Sequence, residues 1–146
     1  MSGNPESLRS VANLKEQDEV EAARVLGVAE RRVADEVGRL EAVTSYAEEY
    51  RANSHGRAGR PQQLWDSQTF YLQLQQTLDA QAAAVAGARE QAETARAQWL
   101  AARLERKVLE KLIERRHAAS RHQERHREQR LQDDQRRVLP SHGGER

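Results

Sequence analysis

Three histidines near the end of the chain have the residue type and spacing that a metal site would need. His122 and His126 are four residues apart and would share one face of a helix, and His117 precedes them. No acidic or thiolate ligand completes a tight set around them. The residues interleaved with them are arginines, namely Arg121, Arg125 and Arg127. We interpret the histidines as part of a solvated basic face and predict no metal site.

A glycine-rich segment in the middle of the chain could, by composition, cradle a phosphate group. It runs from Gly56 to Arg60 and is followed by Pro61. A phosphate-binding loop needs Lys and then Ser or Thr after its second glycine and a strand before its first, and the sequence has neither. The segment is therefore predicted to be a turn.

The composition lacks the material for an ordinary globular core. The 146 residues are 37% hydrophobic, 32% charged and 4% aromatic, with a formal net charge of +1, whereas a compact domain is usually about 45–50% apolar. An elongated, surface-rich protein is expected. The absence of cysteine excludes disulfides, thiolate metal sites and a cysteine nucleophile. The sequence contains neither a signal-peptide core nor a membrane span, so we expect a cytosolic protein.

Three prolines, Pro5, Pro61 and Pro140, divide the chain. Because proline suits the first turn of a helix and breaks its interior, they leave two long stretches that we predict to be helical. Asn4 can cap the first helix. We predict a single domain over residues 1–146, made of helix 1 (about 5–54), a turn (about 55–61), helix 2 (about 62–137) and a disordered tail (about 138–146).

Both helical stretches carry a heptad pattern of mostly apolar residues. In the second, spacings of three and four alternate along Tyr71, Leu74, Leu78, Gln81, Val85, Ala88, Ala92, Ala95, Trp99, Ala102, Arg106, Leu109 and Ile113. In the first, the repeat runs along Ala22, Leu26, Ala29, Val33, Leu40, Val43, Ala47 and Tyr50, and Glu36 interrupts it. Two such helices joined by a short turn must fold back on each other. The predicted fold class is all-α, with two long helices forming an antiparallel coiled-coil hairpin whose second helix is longer than the first.

The position of the turn predicts how the helices pair. A turn centred near Ala58 places Leu8 opposite Val108 and Leu109. The heptad seam of the second helix ends at Ile113, and residues 114–137 are charged on every side and have no predicted partner in the chain. A two-helix hairpin has no concave, water-excluding pocket in which catalytic groups could meet. We therefore predict no catalytic or cofactor-binding residue, no cofactor and no enzymatic activity.

The few aromatic residues gather near the predicted turn. Tyr71 falls on the heptad seam, whereas Phe70 lies beside the seam and is predicted to point partly outward. Two interpretations stay open: the aromatics close the core near the turn, or they form a contact patch for another protein. Leu104 and Val108 also fall off the seam. For them we favour a register shift around Arg106 that buries both, with a small docking stripe as the alternative.

Arginines are frequent from Arg115 to Arg137. Acidic residues are interspersed among them and no aromatic residue is available for base stacking, so the electrostatic footprint of a nucleic-acid site is weak. Nucleic-acid binding is not expected.

Several features in a fixed order resemble the FliJ family of flagellar export proteins. They are Tyr46 to Arg51 (YAEEYR), a Gly/Pro turn, Trp65, Phe70 to Leu78, and Leu109 to Arg116 (LEKLIERR). The resemblance extends over nearly the whole chain. It implies a small antiparallel coiled coil similar to the central stalk of rotary ATPases, which serves the type III export apparatus of the flagellum.

The resemblance also implies the partners and their contact residues. The terminal end of the hairpin would enter the hexameric flagellar export ATPase, through Leu8, Val11, Leu109, Ile113, Arg115 and Arg116. The turn-side half would contact the cytoplasmic domain of the export gate, through Tyr46, Tyr50, Phe70, Leu74, Thr77 and Gln81. Export chaperones are further implied partners, and membrane association would come only through partners, at the cytoplasmic face of the inner membrane at the flagellar base.

Two other functions stay open from the sequence. One is the stalk protein of an injectisome type III secretion system, which shares the hairpin form and the ATPase partner. The other is a generic coiled-coil adaptor, in which the arginines from Arg115 to Arg137 would bind nucleic acid.

Overall fold

A computed structural model describes residues 5–54 and 61–138, which form two helices. Helix α1 spans Pro5–Ser54 and helix α2 spans Pro61–Val138. Side chains are described from Glu6 to Asn53 and from Trp65 to Val138. The predicted cap at Asn4, the body of the predicted turn at 55–60 and the predicted tail at 139–146 lie outside the described residues.

The local sequence accounts for where the two helices begin and why they continue. Pro5 and Pro61 occupy the first helical positions, where a missing backbone N–H has no consequence. No proline occurs further inside either helix, and Ala, Leu, Glu, Gln and Arg, which favour helix, dominate both. Arg136 and Arg137 in the last turn of α2 interact favourably with the negative end of its macrodipole.

The predicted all-α fold with two antiparallel helices, the second longer than the first, is confirmed. The described residues belong to two compact units. Unit 1 combines residues 5–15 of α1 with residues 104–138 of α2, and unit 2 combines residues 16–54 with residues 61–103. In each unit α1 packs against α2, with residue numbers rising on one helix as they fall on the other.

The seam of unit 2 follows the predicted heptads on α1. Its half-buried residues on α1 are Glu19, Ala22, Leu26, Ala29, Val33, Glu36, Leu40, Val43, Ala47 and Tyr50, at alternating spacings of three and four. Opposite them, Val85, Ala88 and Ala95 of α2 are the buried core. Alanine lets the helices approach closely but buries little area per residue, so the core of this unit is narrow.

A polar pair occupies the seam where the apolar repeat of α1 is interrupted. The Glu36 side chain is only 12% exposed. Gln81 Nε2 donates to the Glu36 carboxylate at 2.6 Å and to the Glu36 backbone carbonyl at 3.0 Å. Arg39 Nη1 lies 3.2 Å from the other carboxylate oxygen. The two polar seam residues therefore satisfy each other, and a shift in register would separate them.

The prediction that Tyr71 lies in the seam and Phe70 outside it is wrong. Phe70 is half-buried against Tyr50, and Tyr71 is exposed. The half-buried residues of this part of α2 are Ser67, Phe70, Leu74, Leu78 and Gln81, in which two spacings of four follow each other. Such a stutter rotates the helix relative to a strict heptad. It places the fully apolar phenyl ring in the seam and leaves the tyrosine hydroxyl outside.

In unit 1 the seam passes through charged residues without a shift. Lys15 Nζ contacts Glu105 Oε2 at 2.9 Å, and Arg106, which is half-buried, contacts Glu110 at 2.7 Å. The predicted register shift that buries Leu104 and Val108 is therefore wrong, because both side chains are about 60% exposed. The long aliphatic stem of Arg106 can fill the seam while its guanidinium reaches Glu110, so no shift is needed.

The observed pairing is displaced from the predicted one. Lys15 meets Glu105 and Tyr50 meets Phe70, about four residues further along α2 than a turn centred near Ala58 predicts. Part of the difference arises because side chains lean toward the start of their own helix. In an antiparallel pair both contacting residues then have higher numbers than the backbone positions that lie level with each other.

Candidate partner-binding surfaces

The contact between Tyr50 and Phe70 marks one edge of the helix pair in unit 2. The two ring centroids are 4.6 Å apart with a tilt of 49°, a geometry that favours aromatic pairs. Tyr46 lies one turn before Tyr50 on α1, and Thr77 lies two turns after Phe70 on α2. Because the helices are antiparallel, both steps run along the same edge in the same direction. We call Tyr46, Tyr50, Phe70, Leu74 and Thr77 the aromatic edge.

The residues of the aromatic edge differ in how far they are available to a partner. Tyr46 is 54% exposed. Thr77 is also exposed, and its hydroxyl donates to the Gln73 carbonyl of its own helix at 3.0 Å. Leu74 is half-buried, as are Tyr50 and Phe70, so each presents only part of its side chain. The edge thus has a well-packed aromatic centre and an exposed tyrosine beside it.

Gln81, the sixth residue predicted to contact the gate, has a different position. Its amide nitrogen is engaged with Glu36 inside the seam, as described above. The heptad pattern alone could not reveal this role, since Gln81 and Glu36 each look like an isolated polar interruption. The structure brings the other five predicted residues together on the aromatic edge and ties Gln81 to the helix seam.

Tyr71 is held on the outside of unit 2 by α1. Arg51 Nη2 donates to the Tyr71 hydroxyl at 2.6 Å, and the Arg51 guanidinium lies 5.5 Å from the centre of the Tyr71 ring. This combination of a hydrogen bond and a cation–π contact links the two helices near the aromatic edge. It also gives the tyrosine hydroxyl a partner that a position inside the seam would not offer.

The residues predicted for the ATPase-contacting end all lie in unit 1. Leu8, Leu109 and Ile113 are half-buried, so they hold the two helices together. Val11, Arg115 and Arg116 are exposed. A partner can therefore reach these three side chains directly, whereas the first three are positioned to support the pairing of the helices.

The histidines lie on a part of α2 whose side chains are exposed from Glu114 to Val138. The rings of His122 and His126 are in contact, with centroids 5.3 Å apart. Among the described residues there is no group of three or more His, Cys, Asp or Glu side chains arranged to hold a metal ion. Their neighbourhood is basic, as the sequence suggests.

One exposed ion pair on α1 perturbs the titration of its members. Arg24 donates to the Glu21 carboxylate at 2.7 and 3.0 Å. These hydrogen bonds, and then the charge of Arg24, lower the pKa of Glu21, and the same contacts raise the pKa of Arg24. The depressed carboxyl pKa means that any stability from the pair is present at neutral pH and is lost as the pH falls through the folded-state pKa. Because the pair is fully exposed, solvent screens it strongly.

These features define a helical protein that acts through surface contacts: one unit has an aromatic edge, and the other an exposed charged segment. No stretch of α1 or α2 within the described residues is long and apolar enough to cross a membrane. A family model described as "Flagellar FliJ protein" matches residues 5–143. The chain therefore belongs to the FliJ family and is a component of flagellar protein export. No curated protein matches the chain.

Proposed function

We propose that this protein is a non-enzymatic coupling factor that links the hexameric flagellar export ATPase to the cytoplasmic domain of the export gate. It would act at the cytoplasmic face of the inner membrane and would also assist in handling export chaperones. Membership of the flagellar family favours this role over the injectisome stalk that the sequence left open. ATP hydrolysis belongs to the partner, and this chain contributes contacts.

The single observation that carries the gate contact is the aromatic edge of unit 2. Protein interfaces gain most of their energy from a few aromatic or arginine residues that are packed firmly and then desolvated by the partner. Tyr50 and Phe70 already support each other at 4.6 Å, and the exposed Tyr46 stands one turn away. Such an edge offers a preorganised anchor, so little side-chain entropy is lost when a partner binds.

The proposed ATPase contact uses different chemistry. In unit 1 the exposed side chains include Val11, Arg115 and Arg116, and the Lys15–Glu105 pair is accessible to solvent. Exposed charge pairs contribute only about 0–1 kcal/mol each. Contacts of this kind form and break easily, which suits a factor that must engage the ring reversibly while the ATPase changes conformation.

A bridging experiment tests the coupling role. The cytoplasmic domain of the export gate is immobilised, and the export ATPase is passed over it with and without this chain. We expect the ATPase to be retained only when the chain is present, because the two proposed contacts use residues of different units. As a control, Leu72→Ala changes an exposed apolar residue of unit 2 outside the aromatic edge and should bridge normally.

Two outcomes of the bridging experiment would contradict the proposal. In one, the chain binds neither partner. In the other, it binds each partner alone but the two compete, so that no ternary complex forms. Competition would mean that the ATPase and the gate use the same surface of this chain.

A further inference from the structure

A group of exposed aliphatic side chains in unit 1 has no role in the surfaces described so far. Val11, Leu14, Val108 and Leu112 are between 41% and 60% exposed. Neither their size nor their exposure suits a solvated helix surface as well as polar residues would. They are absent from the heptad seam, so they do not hold the two helices together.

The Lys15–Glu105 contact shows that these four residues share one edge of the helix pair. Lys15 and Glu105 meet at 2.9 Å across that edge. Val11 lies one turn before Lys15, and Val108 lies one turn after Glu105. Because the helices are antiparallel, these two steps run in the same direction along the edge. Leu112 is a further turn along α2, and Leu14 is next to Lys15; we call the four residues the aliphatic edge.

The helix that continues from this edge is strongly basic. Residues 115–130 contain six arginines and three histidines but only two acidic residues, and every side chain in this segment is exposed. Glu124 and Glu128 are one turn apart and share one side of the helix, whereas Arg115, His122 and His126 lie on the opposite side. No ion pair forms within residues 115–130, all of which the structure describes.

We propose that the aliphatic edge and the basic segment together form a docking site for an acidic amphipathic helix of another protein. Residues spaced by three or four, such as Val11 with Leu14 and Val108 with Leu112, match the apolar anchors of a helix laid along the pair. The acidic side of that helix would meet Arg115 and the arginines that follow it, where charge complementarity fixes its direction.

The charge and the apolar residues together favour a protein helix over other anionic partners. Unit 1 contains no Phe, Tyr or Trp among its described residues, so a nucleic acid would find no side chain for base stacking. Residues 115–130 contain no large aliphatic side chain that could enter a bilayer. Neither a membrane nor a nucleic acid would use the aliphatic edge, whereas an amphipathic helix would cover it.

This inference rests on the proposed function in one respect. Val11 and Arg115 also belong to the proposed ATPase-contacting end, so the inference deepens that proposal by stating the chemistry of the partner surface. Peptide binding can be measured without any ATPase or gate protein. Failure of the docking site would therefore be distinguishable from failure of the coupling role.

The test uses the full chain and a fluorescein-labelled synthetic peptide of three heptads, with leucine at the a and d positions and glutamate at most others. Binding is followed by fluorescence anisotropy. We expect saturable binding that Val108→Ser weakens by at least about fivefold. The matched control is Val28→Ser, because Val28 is 55% exposed but lies in unit 2, and it should change the affinity by less than about twofold.

Three results would overturn the proposal. One is equal binding of a control peptide in which serine replaces every leucine, which would indicate a general polyanion site. Another is equal weakening by Val108→Ser and Val28→Ser. The third is displacement of the peptide by phosphatidylserine vesicles or duplex DNA at a lower concentration of negative charge than the unlabelled peptide requires. Circular dichroism confirms that both variants keep the helical content of the parent chain.

Discussion

Replacing both Tyr50 and Phe70 by alanine is expected to lower the affinity of the chain for the cytoplasmic domain of the export gate by at least about tenfold. The two rings pack at 4.6 Å and form the centre of the aromatic edge. Their loss removes both the apolar anchor and the support that one ring gives the other. Titration calorimetry with the isolated gate domain measures the effect. Far-UV circular dichroism should show that helicity is retained, since the seam from Glu19 to Ala47 is unchanged.

Two single variants separate binding from folding in this experiment. Tyr46→Ala removes an exposed ring that makes no part of the buried core, so it should weaken gate binding with little change in thermal stability. Leu72→Ala removes an exposed apolar side chain outside the aromatic edge and should leave gate binding unchanged. If the double variant and Tyr46→Ala both bind the gate domain like the parent chain, the aromatic edge is not the gate contact.

Gln81→Ala is expected to reduce the free energy of unfolding by about 1–3 kcal/mol. The substitution removes the donor that satisfies the Glu36 carboxylate and the Glu36 carbonyl, while the carboxylate stays largely buried in the seam. Arg39 remains within reach of one oxygen only. Urea unfolding followed by circular dichroism measures the loss. Gln76→Ala makes the same chemical change at an exposed position of α2 and should stay within about 0.5 kcal/mol of the parent.

The paired replacement Glu36→Leu with Gln81→Leu should behave in the opposite way. Replacing both partners of a buried polar pair by apolar residues is often neutral or stabilising, by up to about 1–4 kcal/mol. We expect this double variant to be at least as stable as the parent, because two leucines fill the seam without an unsatisfied group. A Gln81→Ala variant as stable as the parent would show that the Glu36–Gln81 contact does not contribute to pairing.

The helical architecture could be predicted from periodicity because the seam of α1 is nearly regular. Leu26, Val33 and Leu40 recur every seven residues, and the structure half-buries all three. Prolines at the first helical positions and a glycine-rich segment between the stretches also limited the possible folds. These are local signals, and local signals are what a single sequence reports most directly.

The details that depend on both helices together were harder to predict. A strict heptad assigns Tyr71 to the seam, but the stutter that places Phe70 there depends on Tyr50 of the other helix. Glu36 and Gln81 look like separate interruptions until the register joins them. Leu104 and Val108 seemed too apolar to remain exposed, yet Arg106 fills the seam between them. Each of these outcomes is decided by a partner 20 or more residues away in the sequence.

The most direct test of the coupling role measures ATP turnover by the flagellar export ATPase at increasing concentrations of this chain. The proposal predicts saturable stimulation, accompanied by assembly of the hexameric ring. Arg115→Glu with Arg116→Glu should abolish most of the stimulation, whereas Arg136→Glu with Arg137→Glu, which reverses two other exposed charges of unit 1, should preserve it. Unchanged turnover and unchanged ring assembly at every concentration of the parent chain would contradict the role proposed for this protein.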